Sequence, residues 1–408
     1  MKIREISFKN NAHPWELVNT KFSDLTLLVG VSGVGKTQIL NNIMKLVNIS
    51  TGHVCNGVEW DLHFIGDNEE NYRWTGEFES IKGLRKQSFS EKDINGQQAA
   101  RIPRLLTEKL YLENELVFER KESQVKYENK ETPKISPYKS VLNLFTTEDK
   151  ISPVKEAFEK IVFLDYQAEK KRITIRSLKE LEIFYKVALE AKKKKNKKLD
   201  DLKKSPGRKE SESLNQKIDK MLPAFFEEIA QIRSIILPKL FLAYYIKEVF
   251  EEIVEDFKDI FPQVEDVRFE LLEDIDAYEL QIKERGTGWI SMSEISSGMF
   301  KTLLHLAEIK LMVDGYVILI DEFENSLGVN CIDTVAEDLL KPGRDLQYII
   351  TSHHPYIINN IEMKYWKVVM RDGTKVSTKN ADELKLGKSK HQAFKQLLNL
   401  DEFTGGIS

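Results

Sequence analysis

The sequence predicts an α/β chain: a core parallel sheet, an antiparallel meander beside it and an inserted helical hairpin. Three observations carry that prediction. An apolar run at 25–29 breaks into a glycine-rich turn and then a helical pattern. Two later apolar runs, at 316–320 and 348–350, end in acids and in histidines, as strands buried on both faces of a parallel sheet do. Between these lies a long, charge-rich stretch nearly free of helix breakers.

The elements follow in order. Residues 1–29 alternate as short strands, first Ile3 to Phe8 and then Leu25 to Val29. Gly30-Val31-Ser32-Gly33-Val34-Gly35-Lys36-Thr37 fits G-x-x-x-x-G-K-[ST] at every fixed position, and a helical pattern starting at Gln38 follows it. Alternation at 57–64, 72–78, 116–120 and 125–127 gives the meander with one solvated face, and the polar residues 82–103 are expected as a loop. From about 166 to 255 the pattern is helical: 176–204, a Ser205-Pro206-Gly207 turn, then 210–230, giving a hairpin or an ordinary pair of surface helices. Strands return at 267–272 and 279–283, and an Asp372-Gly373 pair reads as a hairpin turn. A short helix at 390–400 closes the chain. The expected organisation is 1–165, 166–255, 256–380 and a helical tail, 381–408.

Composition narrows the setting. With 408 residues the chain can bury a large core in two or three lobes. Its net charge of -4 neither favours nor excludes nucleic acid, because local patches decide. Between Lys192 and Lys209 stand ten Lys or Arg against two Asp, where the hairpin tip would be. That stretch suits phosphates or is simply a solvated loop; without interleaved aromatics it does not support base stacking. Met1-Lys2-Ile3-Arg4 opens directly into a strand pattern, with no secretory signal expected. No apolar run approaches the ~20 residues of a membrane helix. Cys55 and Cys331 lie far apart and form no metal pattern, so a reduced cytoplasm is expected.

The chemistry starts at the glycine-rich turn. Gly30, Gly33 and Gly35 let successive N–H groups face phosphates, with Val34 and Gln38 in the loop and first turn around them. Lys36 would reach the β- and γ-phosphates, and Thr37 would offer its hydroxyl to magnesium. A turn that binds nothing is the competing reading, but the flanking strand and helix outweigh it; a nucleoside triphosphate is expected. Asp321 and Glu322 end an apolar strand whose C-terminal end opens towards the P-loop in this fold. An acid pair after a strand is ordinarily a loop start. Paired with a full P-loop, Asp321 is expected in the magnesium shell and Glu322 beside the attacking water. His353 and His354 follow the next apolar strand, either able to end near the γ-phosphate. Ser296, Ser297 and Gly298 precede an amphipathic helix at 300–312, and read as a helix N-cap or equally as an anion site.

Taken together, these motifs resemble an ABC-type ATPase head of the SMC, RecF and OLD branch. Ile295-Ser296-Ser297-Gly298-Met299 resembles the signature motif, and Thr351-Ser352-His353-His354-Pro355 the Thr-x-His-Ser-Pro switch; the latter selects His353 over His354. Within the branch the chain looks most like stand-alone prokaryotic phage-defence ATPases of the Septu PtuA or PARIS AriA type, on Asp321-Glu322-Phe323-Glu324-Asn325-Ser326-Leu327 and on Lys390-His391-Gln392-Ala393-Phe394. Ser297 replaces the first signature glycine, Gly328 stands where the D-loop usually has Asp or His, and Gln167 is the candidate Q-loop glutamine.

The resemblance implies ATP and Mg2+ as cofactors, and a composite site in which ATP lies between the P-loop of one protomer and the signature of another. Ser296 would then act in trans, in a dimer or higher oligomer. An ATPase switch in an anti-phage complex is the leading expectation, its partner an effector nuclease or a retron reverse transcriptase. No intrinsic nuclease is expected, since only a short tail without a carboxylate cluster follows Pro355. A RecF- or SMC-like DNA-binding ATPase, engaging DNA through the basic stretch, is the alternative. An RNase-bearing toxin ATPase lacks room for its catalytic domain. A GTPase lacks Asn-Lys-x-Asp, and the switch motif and helical insertion disfavour a transporter subunit.

Overall fold

The computed structural model describes residues 1–84, 88–89, 102–164, 173–174, 236–244, 247–272, 277–324, 344–354, 357–358 and 361–384. The expected hairpin helices and basic stretch, Gln167, Asn325 to Gly328, Pro355 and the closing helix lie outside them. The chain separates into two compact units: 1–165 with 314–325 and 339–408, and 166–313 with 326–338.

In chain order the strands begin with β1 (Lys2–Asn10), β2 (Trp15–Lys21), β3 (Leu25–Val29), β4 (Val54–Cys55), β5 (Val58–Ile65), β6 (Asn71–Phe78) and β7 (Ser88–Phe89). There follow β8 (Leu105–Leu112), β9 (Glu115–Lys121), β10 (Gln124–Tyr127), β11 (Lys130–Glu131), β12 (Ile161–Leu164) and β13 (Ile173–Thr174). The series ends with β14 (Val264–Leu272), β15 (Ala277–Glu284), β16 (Gly288–Ser291), β17 (Val317–Ile320), β18 (Gln347–Ser352), β19 (Trp366–Asp372) and β20 (Lys375–Asn380).

One mixed sheet organises the first unit, in the order β11-β10-β9-β8-β6-β5-β1-β2-β20-β19-β3-β18-β17-β12. From β19 through β3, β18 and β17 to β12 every pairing is parallel. From β11 to β2 every pairing is antiparallel, so a parallel core is fused to a meander, an α/β architecture. The expected hairpin is present: Asp372 pairs with Lys375 across a two-residue loop whose first residue, Gly373, has φ +57°.

The parallel strands are short and apolar because both faces are covered; all five residues of β3 and all four of β17 are buried. Helices α1 (Lys36–Ser50), α2 (Val141–Leu144) and α3 (Ser152–Glu159) belong to this unit. Ile39, Leu40, Ile43, Leu46 and Val47 of α1 enter one continuous core with the meander's Trp60, Leu62, Phe64 and Trp74. Ring contacts seal it, with Trp60 on Trp74 at 4.9 Å and Trp74 on Phe158 of α3 at 5.1 Å. At the start of β18 the buried Gln347 amide accepts from Ile3 N–H at 2.7 Å and donates to the Ile3 carbonyl at 2.7 Å and the Ser23 carbonyl at 2.9 Å.

Several strands escape the sequence patterns. In β8 the buried Glu108 interrupts the apolar alternation; it is tolerated because Trp74 Nε1 at 2.9 Å, Val141 N–H at 2.8 Å and Ser140 Oγ at 2.5 Å all donate to it. Only Leu17 and Thr20 of β2 are buried, too few to show a period. Within the expected 82–103 loop, Ser88–Phe89 forms β7 against β4.

The second unit holds the antiparallel strands β13, β15, β14 and β16, with helices α4 (Ile236–Tyr244), α5 (Lys247–Ile260) and α6 (Ser297–Leu311). Its core brings Phe241 edge-on to Phe269 at 5.0 Å, and Lys310 of α6 pairs with Asp256 of α5 at 2.7 Å.

Candidate nucleotide site

Strand register builds the site. β18 lies between β3 and β17, with Ser352 beside Val29 and Ile350 beside Ile320. The P-loop, the acid pair and His353 therefore leave the sheet at the same edge, the carboxyl ends of its parallel strands, where such sheets bind ligands. Because β18 runs two residues past the Ile320–Ile350 pair, Thr351 falls level with Asp321 and His353 level with the residues just after it.

The loop itself is shaped by close approach and by positive φ. A Cβ on Gly30 would meet the Val369 carbonyl and a Val34 methyl at 2.9 Å, so no other residue fits. Gly35 has φ +106° and stands as N-cap of α1, where no side chain caps the helix. Lys36 folds back along the loop, donating to the carbonyls of Gly30 at 2.8 Å and Val31 at 3.0 Å. Burial lowers its ammonium below the usual lysine range, opposed by the carboxylates of Glu324, Asp321 and Glu322. Val34 is buried, Gln38 half-buried and Thr37 exposed.

Thr37 Oγ1 donates to Asp321 Oδ1 at 3.0 Å across 284 residues of sequence. The same carboxylate oxygen accepts from Thr351 Oγ1 at 2.6 Å, and that hydroxyl in turn accepts the Glu322 N–H at 2.8 Å. Glu322 is an exposed non-glycine residue with φ +45°, a conformation that costs on the order of 1 kcal/mol and collects at functional sites. His353 is exposed; its backbone N–H donates to Glu324 Oε1 at 2.9 Å and its ring Nδ1 lies 3.0 Å from the same oxygen. His354 instead gives its backbone N–H to Ser352 Oγ at 3.1 Å.

The donor set suits magnesium: a hydroxyl and a carboxylate oxygen, both hard, with few other protein ligands required when phosphates share the ion. Two residues carrying no sequence expectation also border the loop. Arg371 Nη1 donates to the Gly33 carbonyl at 3.2 Å, and the Trp15 ring stands 3.7 Å from where a Gly35 Cβ would be.

Ser296, Ser297 and Gly298 lie in the second unit, at the start of α6. Ser296 is the N-cap, its Oγ accepting from Met299 N–H at 3.2 Å, and Thr302 Oγ1 donates to the Gly298 carbonyl at 2.8 Å. Thus Thr37, Asp321, Glu322 and His353 belong to the first unit, and the Ser296-Ser297-Gly298 turn belongs to the second.

Similarity to solved structures is spread over nearly the whole chain. An Smc head bound to the C-winged helix domain of ScpA is 14% identical, with 94% of this chain and 99% of that chain covered and a TM-score of 0.43. A Pyrococcus furiosus Smc head with an extended coiled coil, bound to the ScpA C-terminal domain, is 15% identical over 94% and 98%, TM-score 0.40. The Thermotoga maritima SMC head domain is 15% identical over 93% and 99%, TM-score 0.39. Among curated proteins none matches. Residues 25–359, from the P-loop strand to just beyond His353, fit one family model, and the chain belongs to that family, described as AAA domain, putative AbiEii toxin, Type IV TA system.

Proposed function

We propose that the chain is the ATP-binding and ATP-hydrolysing switch subunit of a prokaryotic anti-phage defence complex. The observation that carries the ATPase reading is the Thr37–Asp321 hydrogen bond of 3.0 Å, which joins the P-loop to the acid strand as nucleotide hydrolysis requires. Thr37 and Asp321 would hold Mg2+, which when bound neutralises charge developing on the transferred phosphoryl group. Lys36 and the first-turn amides of α1 bind the phosphates. Glu322 orients the attacking water, and His353 senses the γ-phosphate end of the site. Ser296, Ser297 and Gly298 serve a second protomer's nucleotide, so the site is completed by assembly.

The family's description as a putative toxin of a toxin–antitoxin system supports a defence setting. In this reading the ATPase licenses a partner, an effector nuclease or a retron reverse transcriptase, that attacks the invader. The alternative, a DNA-binding ATPase of repair, rests on residues 192–209, outside the described residues.

Glu322→Gln tests the assembly. This variant is expected to bind ATP without hydrolysing it, so light scattering with ATP and magnesium should show at least a doubling of particle mass relative to the nucleotide-free sample. An unchanged mass overturns the composite site.

A further inference from the structure

Beyond the acid pair stands a third carboxylate, Glu324, to which sequence reading gave no role. Its side chain is only 8% exposed, yet Oε1 meets a single residue: it accepts the His353 backbone N–H at 2.9 Å and lies 3.0 Å from ring Nδ1. The other oxygen, Oε2, is buried without a hydrogen-bond partner. Among the acids opposing the burial of the P-loop Lys36, Glu324 acts most strongly.

This arrangement is poor as a stability device. The histidine side chain is 55% exposed, and an ion pair with a solvated partner contributes little, while burying a carboxylate with one oxygen unsatisfied is costly. Costs of that kind gather at functional sites.

We propose that Glu324 is the positioning residue of the switch histidine, fixing both the plane and the tautomer of the His353 ring. A carboxylate oxygen that already accepts the His353 backbone N–H is matched by a donor on the ring side, so the nitrogen facing it is the one that carries the hydrogen. Nδ1 is thereby committed to Glu324, and Nε2 is left as the accepting nitrogen, suited to a hydrogen of the attacking water at the γ-phosphate end of the site. The backbone bond to the same oxygen ties the loop after β18 to the loop after β17, so the ring and the acid segment share one anchor. The catalytic consequence rests on the proposed role of His353; the tautomer does not.

The test uses the full chain. Nitrogen-15 NMR of labelled histidine reads the tautomer, and steady-state ATP turnover with magnesium reads function. In the wild type His353 is expected to carry its hydrogen on Nδ1. Glu324→Ala should return it to the ordinary Nε2–H form and lower kcat by about tenfold or more, with KM within about twofold. Glu324→Gln keeps an accepting oxygen and the side-chain volume, so it should retain the Nδ1–H form and most of the turnover. Added to His353→Ala, Glu324→Ala should lower turnover no further. A wild-type Nε2–H ring, or a double variant much slower than His353→Ala alone, overturns the proposal. If Glu324→Ala resets the tautomer while neither it nor His353→Ala alters turnover, the positional claim is upheld and the switch role of His353 fails.

Discussion

A single hydroxyl, that of Thr351, joins the two acids of the site: it donates to Asp321 Oδ1 at 2.6 Å and accepts from the Glu322 backbone at 2.8 Å. It fixes the angle at which the strained Glu322 leaves the strand. Thr351→Val keeps the shape and removes both bonds, so ATP turnover should fall by about tenfold or more, with little change in melting temperature, and Thr351→Ser should restore it. Equal turnover in wild type and Thr351→Val would remove the residue from the mechanism. The P-loop and Asp321-Glu322 were legible in the sequence because their chemistry needs contiguous residues after a buried strand. Thr351 and Glu324 stood inside quoted motifs without a role of their own, since each acquires its partner from the register between strands about thirty residues apart, which leaves no periodic trace.

At the scale of elements, α6 separates two readings of one turn. Ser296 caps the helix in this structure, as any serine in that position would. Ser296→Ala should therefore cost about 1 kcal/mol of stability in denaturant unfolding without nucleotide. Ser296→Asp caps as well as serine but sets a negative charge where the composite site needs a neutral phosphate ligand. Its stability should match wild type while ATP-dependent assembly is lost. A Ser296→Asp protein that assembles normally would leave the turn as a cap and nothing more. The elements themselves were read well wherever one face was cleanly apolar, as in β5 and β6, or the whole run was, as in β17. They were missed where a buried polar residue broke the alternation, as Glu108 does in β8.

For the molecule as a whole, acid sensitivity follows from His305, buried in α6. Burial, with a smaller contribution from Lys301, depresses its pKa from 6.5 to about 3. The unfolded chain binds a proton there between those limits and the folded chain does not. His305 thus contributes full stability above pH 6.5, and that contribution drains away as pH falls towards 3. Urea unfolding from pH 8 to 4 should show the wild type losing up to about 1.4 kcal/mol per pH unit more than His305→Gln below the upper limit. Parallel pH profiles for the two proteins would place the titration elsewhere. The division into two compact units was only partly visible in sequence. The change to a helical pattern near 166 is a local signal, but residues 256–313 join that second unit through contacts far apart along the chain.

The two carbonyl bonds of Lys36 give this side chain a mechanical duty besides its charge: it braces the curve of the loop that bears it. Replacing it with alanine removes a strut as well as a cation. Weakened nucleotide affinity in such a protein therefore reports a slackened cradle and a missing counter-charge together, and Lys36→Ala is a blunt instrument for weighing either one.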